Sequence, residues 1–131
     1  MIKIFNITIL LLFCTLYTTA QNYIGSSKKY VFEQLHEKGF IINKSKLPES
    51  NIEYFITIDG TATKFYLFDD NNVCIKFICA ESDITKINME KALYSNGYIR
   101  NSDGAFYSES YKAIIEYSET LNQWTFIIVA K

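Results

Sequence analysis

Glycine-rich stretches are missing from this chain. Its five glycines lie scattered, so no phosphate-cradling loop can be assembled from them. Histidine is nearly absent. His36, the only one, sits between Leu35 and Glu37 on an expected helix, with no second histidine to complete a metal pair. No spacing supplies the three or four ligands of an ordinary zinc site. A Cys–His nucleophile pair would require His36 to meet Cys74 or Cys79 in space. The acidic cluster Asp69-Asp70-Asn71-Asn72 is too short for an EF-hand loop and lacks its distal glutamate. Turn chemistry accounts for all four residues. Asp59 and Asp69 or Asp70 fall at hairpin tips at opposite ends of a strand, which disfavours a general acid/base pair. No catalytic constellation, metal set or cofactor is therefore expected.

Charge of one sign is lacking too. Lys and Arg number 13 against 14 Asp and Glu, and no basic patch with interleaved aromatics stands out. A nucleic-acid partner is accordingly disfavoured. Long apolar runs are limited to one, from Ile4 to about Tyr17, behind the cationic start Met1-Ile2-Lys3 and ahead of Thr18-Thr19-Ala20-Gln21. Such a run is shorter than the roughly 20 residues of a spanning helix and reads as a secretory signal peptide cut after Ala20. Lipoprotein anchoring at Cys14 is disfavoured because Phe13, not a small residue, precedes it. Residues 21–131 then form one exported domain, periplasmic or secreted, with no membrane span after cleavage. Cys74 and Cys79, five positions apart on one strand, are expected on opposite faces, beyond disulfide reach, as buried free thiols, the alternative being one of them in an intermolecular bridge.

What is present is a run of local structure signals. Gln21 to Gly25 reads as an exposed lead. Ser26 and Ser27 precede a helix, Lys28–Lys38, whose Val31, Phe32 and Leu35 form an apolar stripe and which Gly39 ends. Phe40-Ile41-Ile42 is a short strand, and Asn43 to Asn51 a loop around Pro48. Ile52–Asp59, Thr63–Phe68 and Val73–Ala80 form an antiparallel meander through an Asp59-Gly60 turn and the Asp-Asp-Asn-Asn turn. Ser82 and Asp83 cap a second helix, Ile84–Asn96, with Ile84, Ile87, Leu93 and Tyr94 as apolar contacts and Gly97 after it. Tyr98-Ile99 follows. Ala105–Tyr117, interrupted near Ser108-Glu109-Ser110, and Trp124–Ala130 complete a last hairpin.

A shift of 58 positions overlays Lys28 on Lys86, Val31 on Met89, Leu35 on Leu93, Gly39 on Gly97, Phe40 on Tyr98 and Ile41 on Ile99. Two tandem α-β-β-β units, residues 26–80 and 82–131, are one reading; a glycine after any helix is the other. Either way the expected fold is α+β: two helices on one face of a mainly antiparallel sheet of five to seven strands. The Ala20-Gln21 junction and the Ile, Asn, Lys and Tyr-rich composition resemble small uncharacterised exported proteins of the Bacteroidota. That resemblance implies export and no catalytic residue. Tandem α-β modules of broadly this kind include exported inhibitors of other proteins, a likeness of fold alone.

Aromatic content is high: ten Tyr, ten Phe and one Trp. Pairing Ile56 with Thr63 and Leu67 with Cys74 puts Ile52, Tyr54, Ile56, Ile58, Phe65, Leu67, Cys74 and Ile78 on one face, expected as the core. The other face carries Glu53, Phe55, Thr57, Lys64, Tyr66, Phe68, Val73, Ile75, Phe77 and Cys79, too apolar for an ordinary solvated face. Cover on both sides, a bulge that swaps faces, or a contact surface would each explain it. The expected function is a non-catalytic binding module. It would use Phe55, Lys64, Tyr66, Phe68, Ile75 and Phe77 on a helix-free face to contact an unknown protein or envelope component. A structural or self-associating component, including a homodimer, is the alternative; a small hydrolase ranks last.

Overall fold

The computed structural model describes residues 23–82 and 85–131. The expected signal peptide, its cut at Ala20 and the acceptor candidate Cys14 lie outside the described residues, as do Asp83 and Ile84. The fold is α+β. Among these residues two helices, α1 (Lys28–Glu37) and α2 (Lys86–Ser95), accompany one open antiparallel sheet. Its strands are β1 (Asn43–Lys46), β2 (Glu53–Asp59), β3 (Ala62–Phe68), β4 (Cys74–Glu81), β5 (Ile99–Arg100), β6 (Phe106–Tyr107), β7 (Tyr111–Ser118) and β8 (Gln123–Ala130). They lie in the order β1-β2-β3-β4-β8-β7-β6-β5, so β4 and β8 meet at the centre.

Among the described residues the strand count is eight rather than five to seven because the short segments Asn43–Lys46, Ile99–Arg100 and Phe106–Tyr107 pair as separate strands. Asn43–Lys46, expected as loop, is an edge strand with every residue exposed, so it carries no apolar alternation to reveal it. Lysines on such an edge discourage pairing with another chain. Phe40-Ile41-Ile42, expected as a strand, forms none. Each helix is followed by four strands, not three.

The two helices are built alike. Ser27 caps α1 by accepting from the Tyr30 N–H, and Thr85 caps α2 by accepting from the Asn88 N–H. Thr85 thus takes the role expected of Ser82 and Asp83. Both helices end at a left-handed glycine, Gly39 at φ +84° and Gly97 at φ +83°. Beyond them the Phe40 N–H donates to the Leu35 carbonyl at 3.1 Å, and the Tyr98 N–H to the Leu93 carbonyl at 3.0 Å. These pairs are the ones that a shift of 58 overlays.

Val31 and Leu35 of α1 and Met89, Ala92 and Leu93 of α2 are fully buried in one core cluster. Ile87 and Tyr94, expected as α2 contacts, are exposed, because the buried stripe runs through Met89 and Ala92 instead. Tyr94 still meets Phe106 edge-on at 5.5 Å. Within the lead expected to be exposed, Tyr23 is only 3% exposed and packs edge-on to Tyr66 at 5.7 Å. Its segment is tied to the start of β4, with Gly25 N–H donating to the Cys74 carbonyl and Cys74 N–H to the Ser26 carbonyl, both at 2.8 Å.

Strand register fixes what each face carries. Asp59 pairs with Ala62, so Gly60 and Thr61 make the turn, and Ile56 faces Phe65 rather than Thr63. That slip of two residues preserves the faces. A bulge does not: Leu67 pairs with Lys76 while Phe68 pairs with Cys74, leaving Ile75 unpaired. Cys74 therefore turns to the same side as Cys79, and both thiols are free and buried in the same core cluster. The expectation that they point to opposite faces is corrected by that one extra residue.

Candidate functional site

The helices cover the face expected to be open. Chaining the pairings gives a row Phe55–Tyr66–Phe77–Ile128–Ala113–Phe106 across the sheet. Every member of it is at most 3% exposed. Phe32 of α1 lies on Phe55 at 6.0 Å, and Tyr66, Phe77 and Phe126 follow at 5.2 and 5.7 Å. Large rings fill the gap between a sheet and helices above it, which is why the aromatic side is the core. Phe68 is fully buried beside Phe55 at 4.7 Å. Phe55, Tyr66, Phe68 and Phe77 are thus core residues, not surface contacts.

Lys64 is also buried, at 5% exposure. Its ammonium reaches Asp59 at 3.6 Å and lies 5.4 Å from the Phe40 ring centre. A lysine stem buries readily when its charged end finds such partners. Of the six residues expected to make contact, only Ile75 keeps substantial exposure, at the bulge.

The face that no helix among the described residues covers carries the set expected as core, apart from Cys74, ordered in three rows. The first is Tyr54–Leu67–Lys76–Val129–Lys112–Tyr107, the second Ile56–Phe65–Ile78–Ile127–Ile114, and the third Ile58–Thr63–Ala80–Thr125–Glu116. All five residues of the second row are apolar and half-buried. Branched side chains suit a strand without a helix over them.

A groove of about 460 Å³ follows this face. Tyr54, Phe65, Leu67, Ile78 and Ile127 line it. Leu47 joins from the β1–β2 loop, and Ser118, Thr120 and Leu121 from the β7–β8 hairpin. Both borders are braced. Leu47 N–H donates to the Ile52 carbonyl at 2.9 Å, and Ile52 N–H to Ser50 Oγ at 3.0 Å. In the hairpin, Tyr117 Oη donates to Asn122 Oδ1 at 2.5 Å and Leu121 N–H to Ser118 Oγ at 3.2 Å. Leu121 was not singled out by periodicity. An apolar residue inside an otherwise polar hairpin turn is the signal that could have found it.

Chemically, the groove offers apolar area, hydroxyls and one acid, Glu116, and the face beside it adds Lys76 and Lys112. The thiols are poorly placed as nucleophiles. Burial pushes the pKa of each up to about 12, so both are protonated near neutrality, whereas attack needs a thiolate. His36 is exposed on α1 and stacks on Phe32 at 6.0 Å. Asp69 spends its carboxylate on the turn, accepting from the N–H groups of Asn71 and Val73 at 2.9 and 3.0 Å. Among the described residues, no group of three or more His, Cys, Asp or Glu is placed to hold a metal. No helix among them is long and apolar enough to cross a membrane.

Compared with protein-family models, curated proteins and solved structures, the chain matches none.

Proposed function

We propose that this chain is an exported, non-catalytic binding protein that engages another protein through its helix-free sheet face. The observation that carries the reading is the half-buried apolar row Ile56–Phe65–Ile78–Ile127–Ile114 and the groove beside it. An antiparallel sheet with one covered face ordinarily shows polar residues on the other. A contiguous apolar strip rimmed by Ser118, Thr120 and Glu116 is the pattern of an interaction surface. Export rests on the N-terminal Lys3, apolar run and Ala20-Gln21 junction. The matching caps, glycines and buried positions of α1 and α2 also support two tandem α-β units that jointly build this face.

Photo-crosslinking in cells that express the full chain tests the proposal. A benzophenone amino acid at Thr120 or Leu121 should trap a discrete protein. The same probe at Tyr30 or Ile87, exposed on the helices, should not. Equal trapping at both sets, or none at the groove, would overturn it. A crosslink to a second copy of the chain would instead select the self-associating reading.

A further inference from the structure

Resting on that reading, we infer that the helix-free face recognises an extended protein segment carrying an acidic residue two positions from an apolar one. The three rows differ in charge as well as polarity. Lys76 and Lys112 stand in the first row on either side of Val129, since Lys76 pairs with Val129 and Val129 with Lys112. The second row is wholly apolar. The third holds Thr63, Ala80 and Thr125 and ends in the exposed Glu116.

Among the described residues the ion pairs are Lys28–Glu53 and Lys64–Asp59, so neither Lys76 nor Lys112 has a carboxylate within ion-pair distance there. Lys112 Nζ rests 5.7 Å from the Tyr107 ring centre. The acid near it, Asp103, accepts from Tyr107 Oη at 2.7 Å and from the Ala105 N–H at 2.9 Å, and these two bonds, followed by the more distant Lys112 charge, hold its carboxyl below the ordinary value. Two strands apart, the lysines stand roughly 10 Å from each other at the backbone, and their flexible stems can close on one carboxylate over Val129.

Neighbouring rows lie two residues apart along each strand, roughly 6.7 Å, and the outer rows roughly 13 Å. An extended segment presents residues i, i+2 and i+4 on one side at that same spacing. Laid along β8, it would place a carboxylate between Lys76 and Lys112 and an apolar side chain over Ile78 and Ile127. A lysine, arginine or other donor would then reach Glu116. The matching order is acidic, any, apolar, any, basic, in either chain direction. Charge complementarity of this kind sets specificity and register, while the apolar row supplies buried area.

The test is selection from a displayed library of disulfide-closed β-hairpin peptides with randomised faces, against protein expressed from the full chain. Enrichment of Asp or Glu two positions from an apolar residue is expected. The selected peptide should bind at least tenfold more weakly to the Lys76→Glu/Lys112→Glu protein. Reselection on that variant should replace the acid by Lys or Arg. Lys76→Gln/Lys112→Gln, which avoids new repulsion, should weaken binding less, and unchanged thermal melting keeps both variants interpretable. Peptides that lose binding to Ile127→Arg protein but show no acidic preference, or ignore the charge swap, would overturn this inference and leave the face as the recognition surface. Peptides that still bind Ile127→Arg protein, or a library that yields no binder, would overturn the reading beneath it.

Discussion

Cys74 and Cys79 give the core a pH signature. Both thiols are at most 1% exposed, and desolvation raises each pKa from 9.0 to about 12. In the unfolded chain they ionise near 9, while the fold holds them protonated. Their contribution to stability is therefore complete below pH 9 and is lost as pH rises from 9 through 12. Burial raises the Tyr66 phenol as well, adding to the same alkaline loss above its ordinary 10.0. Urea midpoints should stay level from pH 7 to 9 and fall beyond. Cys74→Ala/Cys79→Ala protein should show a shallower fall, and a wild-type midpoint unchanged at pH 11 would contradict the burial of these groups. Sequence showed two buried free thiols. It could not show that they share a side, because parity counting carries no record of the bulge between them.

The bulge at Ile75 separates two strand neighbours that look alike in sequence. Phe77 lies 1% exposed in the aromatic row, and Ile75 stands 37% exposed, unpaired beside Lys76. Phe77→Ala should cost about 3–5 kcal/mol, as expected for an aromatic side chain removed from a packed core. Ile75→Ala should cost under about 1 kcal/mol, the range of substitutions away from such features. Equilibrium urea unfolding of the two variants checks this, and equal losses would contradict the assignment of faces. Both helices, the α1 cap and the central hairpins were legible because Ser27, Gly39, Gly60 and Gly97 mark their own ends, whereas the α2 cap fell to Thr85 rather than to Ser82 or Asp83. The edge strand Asn43–Lys46 was not, since an exposed, polar strand has no periodicity to read. Ile87 was misjudged for a related reason. On α2 the buried stripe uses the small Ala92 and the flexible Met89, which carry less apolar signal than an isoleucine.

Across the whole molecule, the sheet has two apolar faces, and alternation alone cannot rank them. The grouping of the meander residues into faces was correct apart from the bulged start of β4, where Cys74 turns under the helices, while the choice of the open face was inverted. Helices need large rings beneath them, so Phe55, Tyr66, Phe77 and Phe126 form the floor of the core, and Lys64 survives there by pairing with Asp59. No helix among the described residues covers the isoleucine-rich rows, and the proposed contact surface moves with them. The proposed contact face is then built from the centre of the sheet, where β4 and β8 bring Ile78 beside Ile127.

Ile127 and Ile128 put that arrangement to its most direct test. They are consecutive residues of β8 on opposite faces, with Ile128 0% exposed under the helices and Ile127 lining the groove. Methyl NMR with a soluble gadolinium relaxation agent should broaden the Ile127 methyl strongly, with Ile78 and Ile114 following it, and leave Ile128 sharp. A broadened Ile128 beside a protected Ile127 would mean that the isoleucine rows are the covered core and the aromatic row the open face.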